Sequence, residues 1–193
     1  MVTVSVACGG SDVDPNSPAA LRAASAGRVI AQLGCDLITG GGGGSMAIVA
    51  EHFCGVANRT GRSVGILPGS ATGFENAVLG AVTEYVVVSK YSPTPWIEIP
   101  IYTHLPGGDP KGPKSRNILN MQSGRIVVVL AGGDGTQAEF EMALGLRKPV
   151  IAFVADGDRI GRYARTELPE KTVVVQNESS LRSTLQEMLL RQT

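Results

Sequence analysis

Three glycine-rich turns have the residue types and spacing to hold an anion. Gly9-Gly10-Ser11 follows the apolar run 3–8, Gly40-Gly41-Gly42-Gly43-Gly44-Ser45-Met46 follows 37–39, and Gly132-Gly133-Asp134-Gly135-Thr136 follows 127–130. Glycine admits positive φ and lets the backbone approach a ligand with no Cβ in the way. The second and third turns run into helical patterns that start at Ser45 and Thr136, so free N–H groups and the positive ends of two helix dipoles face one place. That is phosphate-binding chemistry. Turn-making and helix–sheet packing are the structural alternative for any single run. Twenty-five of the 193 residues are glycine, roughly double the average usage of about 7%. Thr136 and Glu139 also stand at capping-box spacing, each able to satisfy the other's backbone donor. Asp134 is electrostatically awkward beside a phosphate and fits a hydroxyl, a metal or solvent better.

The remaining chemistry-bearing residues are scattered. Cys8, Cys35 and Cys54 form no CxxC pair, which argues against a disulfide scaffold or a cysteine-rich zinc site. His52 and His104 are single, so no metal site is expected. Cys35 and Cys54 read as small core residues, and Cys8 is the thiol nearest the first glycine turn. Tyr91 and Trp96 can stack on a flat ring, and Lys111 and Lys114 can add cationic charge. Lys+Arg and Asp+Glu are both 17, and this zero formal charge excludes a strongly basic nucleic-acid or anionic-membrane binder. No run approaches the roughly 18 apolar residues of a membrane span, and the first residues lack the basic region of a signal peptide, so a cytoplasmic location is expected.

Positioning these turns requires strands and helices in alternation. Continuous valine- and isoleucine-rich runs at 3–8, 37–39, 63–67, 84–89, 125–130, 149–154 and 172–175 read as strands covered on both faces. Between them, helical patterns occupy 18–33, 45–58, 115–123, 136–146 and 179–190. Ser17-Pro18 supplies an N-cap and a first-turn proline, and Gly34 a stop. The predicted fold is α/β, a single Rossmann-like domain over 1–193 whose doubly wound parallel sheet carries helices on both faces. A Pro/Gly-rich insertion at about 92–114 reads as a loop, or as two loops around a short strand at 97–102, and could act as a lid. In such sheets ligands bind beyond the carboxyl ends of the strands, where the glycine turns fall.

No GxxxxGK[ST] motif is present, and no GxGxxG follows the first strand, so the Walker and standard dinucleotide sites are excluded. Gly132-Gly133-Asp134-Gly135-Thr136 resembles the GGDGT of the NAD and diacylglycerol kinases, whose two-domain body is larger than this chain. Taken with Cys8-Gly9-Gly10-Ser11, Thr39-Gly40-Gly41-Gly42, Val64-Gly65-Ile66-Leu67-Pro68 and Gln137-Ala138-Glu139, it more fully resembles the LOG-like superfamily of cytokinin-activating phosphoribohydrolases and molybdenum cofactor carriers. In the hydrolases an arginine and the glutamate of GGxGTxxE are catalytic, and Arg116 and Glu139 match those positions. Ala131 replaces the usual proline and Asn117 the usual lysine, and Ser115-Arg116-Asn117 is more similar to the carrier branch. The resemblance implies a carrier of a phosphorylated heterocycle, with molybdenum cofactor (molybdopterin) as the carried ligand. It places that ligand against Gly9, Gly10, Ser11, Gly41, Gly42, Gly43, Gly44, Ser45, Met46, Arg116, Asn117, Gly132, Gly133, Asp134, Gly135, Thr136 and Glu139. The alternative it implies is a nucleoside 5′-monophosphate phosphoribohydrolase, with Glu139 stabilising an oxocarbenium-like ribose and Arg116 beside it. It also implies a homodimer or higher homo-oligomer, to which Phe140, Met142, Ala143 and Leu146 could lend apolar surface.

Overall fold

A computed structural model describes residues 2–72, 86–88, 92–103, 105, 107 and 115–191. Tyr91, His104, Lys111 and Lys114 lie outside the described residues. In chain order the elements are β1 (Thr3–Ala7), α1 (Pro18–Gln32), β2 (Asp36–Thr39), α2 (Ser45–Cys54), β3 (Ser63–Leu67), β4 (Ser70–Thr72), β5 (Val86–Val88) and β6 (Ile99–Tyr102). They continue with α3 (Asn117–Ser123), β7 (Ile126–Leu130), α4 (Asp134–Gly145), β8 (Val150–Phe153), β9 (Arg159–Ile160), β10 (Tyr163–Ala164), β11 (Thr172–Val175) and α5 (Glu178–Leu190).

Seven strands form one parallel sheet in the order β11-β8-β7-β1-β2-β3-β6. The chain builds outward from β1 through β2 and β3 to β6, then crosses back to lay β7, β8 and β11 on the other side. The order therefore reverses between β1 and β7. A crevice opens at the carboxyl ends of these two strands, because the connections leave them in opposite directions.

Strand side chains feed two cores. Val4, Val6, Ile126, Val128, Ile151 and Phe153 pack with α1, α2 and α5. Ala7, Val127, Val129, Val150 and Ala152 pack with Met121 of α3 and Phe140 and Ala143 of α4. The sheet is thus doubly wound, a Rossmann-like α/β fold with helices on both faces, as the unbroken apolar runs require. Phe140 and Ala143 are fully buried in this second core, and Met142 and Leu146 pack against it, so the apolar stripe of α4 is occupied within the chain.

Local signals set the helix ends. Ser17 Oγ accepts from Ala20 N at 3.2 Å, with Pro18 in the first turn of α1. Gly34 follows that helix at φ +70°, its N–H bonding Ala31 O, and Cys35 N bonds Ile30 O. The second helix stops at Cys54, before Gly55, short of the expected 58.

Of the run at 84–89, which reads as a strand of the parallel sheet, the described part, β5, lies outside that sheet. Here β5 pairs antiparallel with β4 in a separate two-stranded ribbon, and β6 takes the place beside β3. Pro100 explains why β6 sits at the edge, since a residue without an N–H is tolerated where only one side is paired. The segment leading into it is fastened down: Thr94 N donates to Gly41 O, Glu98 N to Ser63 O, and the Glu98 carboxylate pairs with Arg59 and Arg62. No helix among the described residues is long and apolar enough to cross a membrane.

The first two helices cross at very close range. Alanines and Gly27 line α1 there, and a Cβ on Gly27 would run into the backbone of Val49 and Phe53 on α2. Helix propensity favours Gly27→Ala by about 1 kcal/mol, but backbone cannot step aside as a side chain can. Urea unfolding should show a net loss of about 1–3 kcal/mol. Gly145→Ala on α4, where the new methyl meets open space, should be neutral or stabilising by up to about 1 kcal/mol.

Candidate ligand-binding site

The crevice between β1 and β7 is a cleft of about 440 Å³. Gly9, Gly10 and Ser11 form one wall at the end of β1, and Gly133, Asp134, Gly135 and Thr136 form the other at the start of α4. Met46, Arg116, Asn117 and Glu139 complete the lining with Cys8 and Gly107. Eleven of the seventeen expected contact residues are therefore brought together. Among the described residues of the expected 92–114 loop, Gly107 reaches the cleft.

Gly41, Gly42, Gly43, Gly44 and Ser45 are absent from the lining. They brace the wall instead. Gly44 has φ +60°, and a Cβ there would strike the backbone of Gly10 and Ser11. Ser45 N donates to Gly9 O at 3.0 Å, so a first-turn donor of α2 is spent on holding the Gly9 turn. Gly41, at φ +68°, fits against Leu67 and Gly65. Gly40 makes room for a charge, since a Cβ at that position would coincide with the Arg116 guanidinium. Any larger residue at 40 would make the guanidinium shift from its present place beside the cleft.

Gly132 is also withdrawn from the lining. Its N–H donates to Arg159 O at 3.0 Å, and its carbonyl accepts from Gly161 N at 2.8 Å. Arg162 N donates to Gln137 Oε1 at 2.9 Å. The antiparallel hairpin of β9 and β10 thus grips the turn that leads into α4. The strand patterns omit this hairpin because each strand is only two residues long. Gly157 and Gly161, both at positive φ, are the cue in the sequence that marks it.

The fourth helix begins at Asp134, two residues earlier than expected, with extended Gly133 as N-cap and no side-chain cap. Gln137 N makes the first intrahelical bond, to Gly133 O. The N–H groups of Asp134, Gly135 and Thr136 consequently have no partner within the helix. Thr136 lies inside the first turn and Glu139 a full turn further, so the expected capping box does not form.

Glu139 faces a different set of groups. It is 7% exposed, and Asn120 Nδ2 donates to its Oε1 at 3.3 Å. Asn120, which touches Glu139 without lining the cleft, is left out by the motifs; it stands four positions after Arg116 and so on the same side of α3, the one available signal. Burial pushes the Glu139 carboxyl up to about 7, opposed by the Arg116 guanidinium and by the Asn120 hydrogen bond. Cys8, 5% exposed, is driven well above the usual thiol range by burial and by Glu139, with Arg116 opposing. It stays a neutral thiol. Cys35 is a buried core residue, and Cys54 Sγ donates to Trp96 O at 3.2 Å, away from the cleft lining.

A carboxyl that holds its proton more tightly when folded stabilises the protein below the ordinary glutamate value of 4.5, and the contribution fades as pH rises through about 7. Relative to Glu139→Gln, the wild-type protein should lose up to about 3 kcal/mol of unfolding free energy across that window. Urea titrations of both proteins at several pH values check this, and parallel curves would contradict it.

The SLOG cluster4 family model matches residues 1–186. Among solved structures, the molybdenum cofactor binding protein from Rippkaea orientalis is 21% identical with a TM-score of 0.70, over 97% of this chain and 97% of that one. The Moco carrier protein from Chlamydomonas reinhardtii is 21% identical with a TM-score of 0.70, over 98% of each. DNA processing protein A from Helicobacter pylori, a single-stranded DNA binder, is 15% identical with a TM-score of 0.61, over 96% of this chain and 80% of that one. No curated protein matches significantly. The likenesses to solved structures establish a common fold, and the family model, spanning almost every residue, establishes membership: the chain belongs to the SLOG cluster4 family.

Proposed function

We propose that the chain is a carrier that binds a small phosphorylated heterocycle, molybdenum cofactor in particular, in the cleft between β1 and β7. One observation carries the reading: the first turn of α4 opens onto that cleft with three N–H groups that have no partner in the helix. A phosphate seated there meets backbone donors and the positive end of the dipole. Gly9, Gly10 and Ser11 close over it from the opposite wall. Arg116 and Asn117 supply a cation and an amide at the side, and the thioether of Met46 suits the face of a flat ring. The likeness to molybdenum cofactor binding and carrier proteins supports this choice of ligand.

Binding without turnover rests on the likeness of Ser115-Arg116-Asn117 to the carrier branch and not on Glu139, whose carboxyl, pushed up to about 7, still supplies the carboxylate that an oxocarbenium-like ribose needs once it ionises. The phosphoribohydrolase reading keeps one observation in its favour, since Glu139 and Arg116 both line the cleft. If hydrolysis occurs, its rate should rise with pH through about 7, as the ionised form accumulates.

Mass spectrometry of the small molecule released when the purified protein is denatured tests the carrier reading. A phosphorylated pterin is the expected result, and a protein that neither retains nor binds molybdenum cofactor or a nucleotide overturns it. Incubation with AMP, CMP and N6-modified AMP should leave all three intact. Release of base and ribose 5-phosphate, abolished by Glu139→Ala in a folded variant, would replace the carrier with the hydrolase.

A further inference from the structure

Asn120 is anchored at both ends. Ser5 Oγ, on the central strand, donates to its main-chain oxygen at 2.5 Å, so its position follows β1. Its side chain, 1% exposed, reaches Glu139 through Nδ2. The other amide atom, Oδ1, is buried and has no hydrogen-bond partner among the described residues. An acceptor left unsatisfied out of water is costly. A primary amide and a protonated carboxyl satisfy one another through two hydrogen bonds in a ring. One of those two bonds is present, and Oδ1 is the acceptor that a second would use.

We propose that Asn120 is a positioning residue that holds Glu139 in its protonated form, the Oε2–H donating to Asn120 Oδ1 while Nδ2 continues to donate to Oε1. As a donor alone, the amide would favour the ionised carboxylate. The orphaned Oδ1 reverses that balance, because it sets an acceptor against the carboxylate and becomes satisfied only when the carboxyl is protonated. Among the described residues, few other groups surround the carboxyl. The Arg116 guanidinium at the start of α3 favours the anion, the Cys8 thiol beyond β1 is neutral, and Asp134, on the helix that bears Glu139, adds like charge at the cleft. A protonated Glu139 keeps a further negative charge out of a cleft built for an anion. The pairing is independent of which ligand the cleft takes, so its failure and that of the carrier reading are separate events.

The test is an NMR titration of the full-length, isotope-labelled protein on either side of neutrality, following Glu139 Cδ and the Asn120 side-chain amide. The two should share one midpoint in the unaltered protein, and an Asn120 amide that does not titrate with Glu139 overturns the proposal without recourse to a variant. In Asn120→Ala, and in Asn120→Ser should the first fold poorly, the Glu139 midpoint should fall by about one pH unit, a roughly tenfold loss of proton affinity. A midpoint that rises shows an amide serving the carboxylate alone, and one that stays shows no coupling; either result sinks the assignment. A merely structural asparagine would lower thermal stability without moving the midpoint.

Discussion

Removing a carboxyl from water is the constraint around which this crevice is arranged. An ionised glutamate in an apolar setting is tolerated only when it is paired, and a group that lacks full compensation takes up a proton instead. Around Glu139 the compensation among the described residues comes from the Arg116 guanidinium and a long hydrogen bond from the Asn120 amide. Each supporting part then has its own requirement. Arg116 can lie where it does only because residue 40 has no side chain. Asn120 is located by a hydroxyl on the central strand, and Ser5 is itself a polar residue buried in that strand.

The layout of the sheet is readable from the residues because both faces of its strands are covered, which leaves long unbroken stretches of valine and isoleucine. Ser17, Pro18 and Gly34 announce the ends of α1 through ordinary local chemistry. The 84–89 run misleads for a reason the same logic contains. Apolarity marks a buried or sheet-forming segment but says nothing of which strand it pairs with, and the composition around Pro100 offers the short strand at 97–102 only as an alternative to loop, with no sign that it is the strand beside β3. The hairpin of β9 and β10 escapes a pattern-based reading because two residues carry no periodicity.

The site is legible to a different degree. Glycine runs mark where backbone comes close to something, without saying what. Next to Gly133 and Gly135, where a Cβ would meet nothing within 4 Å, that something is open cleft. Next to Gly40 it is a guanidinium, and next to Gly44 it is another stretch of main chain. Runs alike in sequence thus separate into those that form the wall and those that hold the wall up. Asn120 stays hidden because an isolated asparagine in a helix has no motif; its meaning depends on a carboxyl nineteen positions away, across two elements.

The grip of the β9 and β10 hairpin on Gly132 has a thermodynamic side. A glycine-rich turn is normally the most expensive kind of segment to immobilise, and a ligand that had to order it would lose affinity in doing so. Here both main-chain groups of Gly132 are already bonded, and the neighbouring helix is tied to the same hairpin through Gln137. The entropy of that turn is surrendered when the chain folds, before any ligand arrives. A segment that contributes nothing to the cleft lining therefore sets part of the strength with which the cleft can bind.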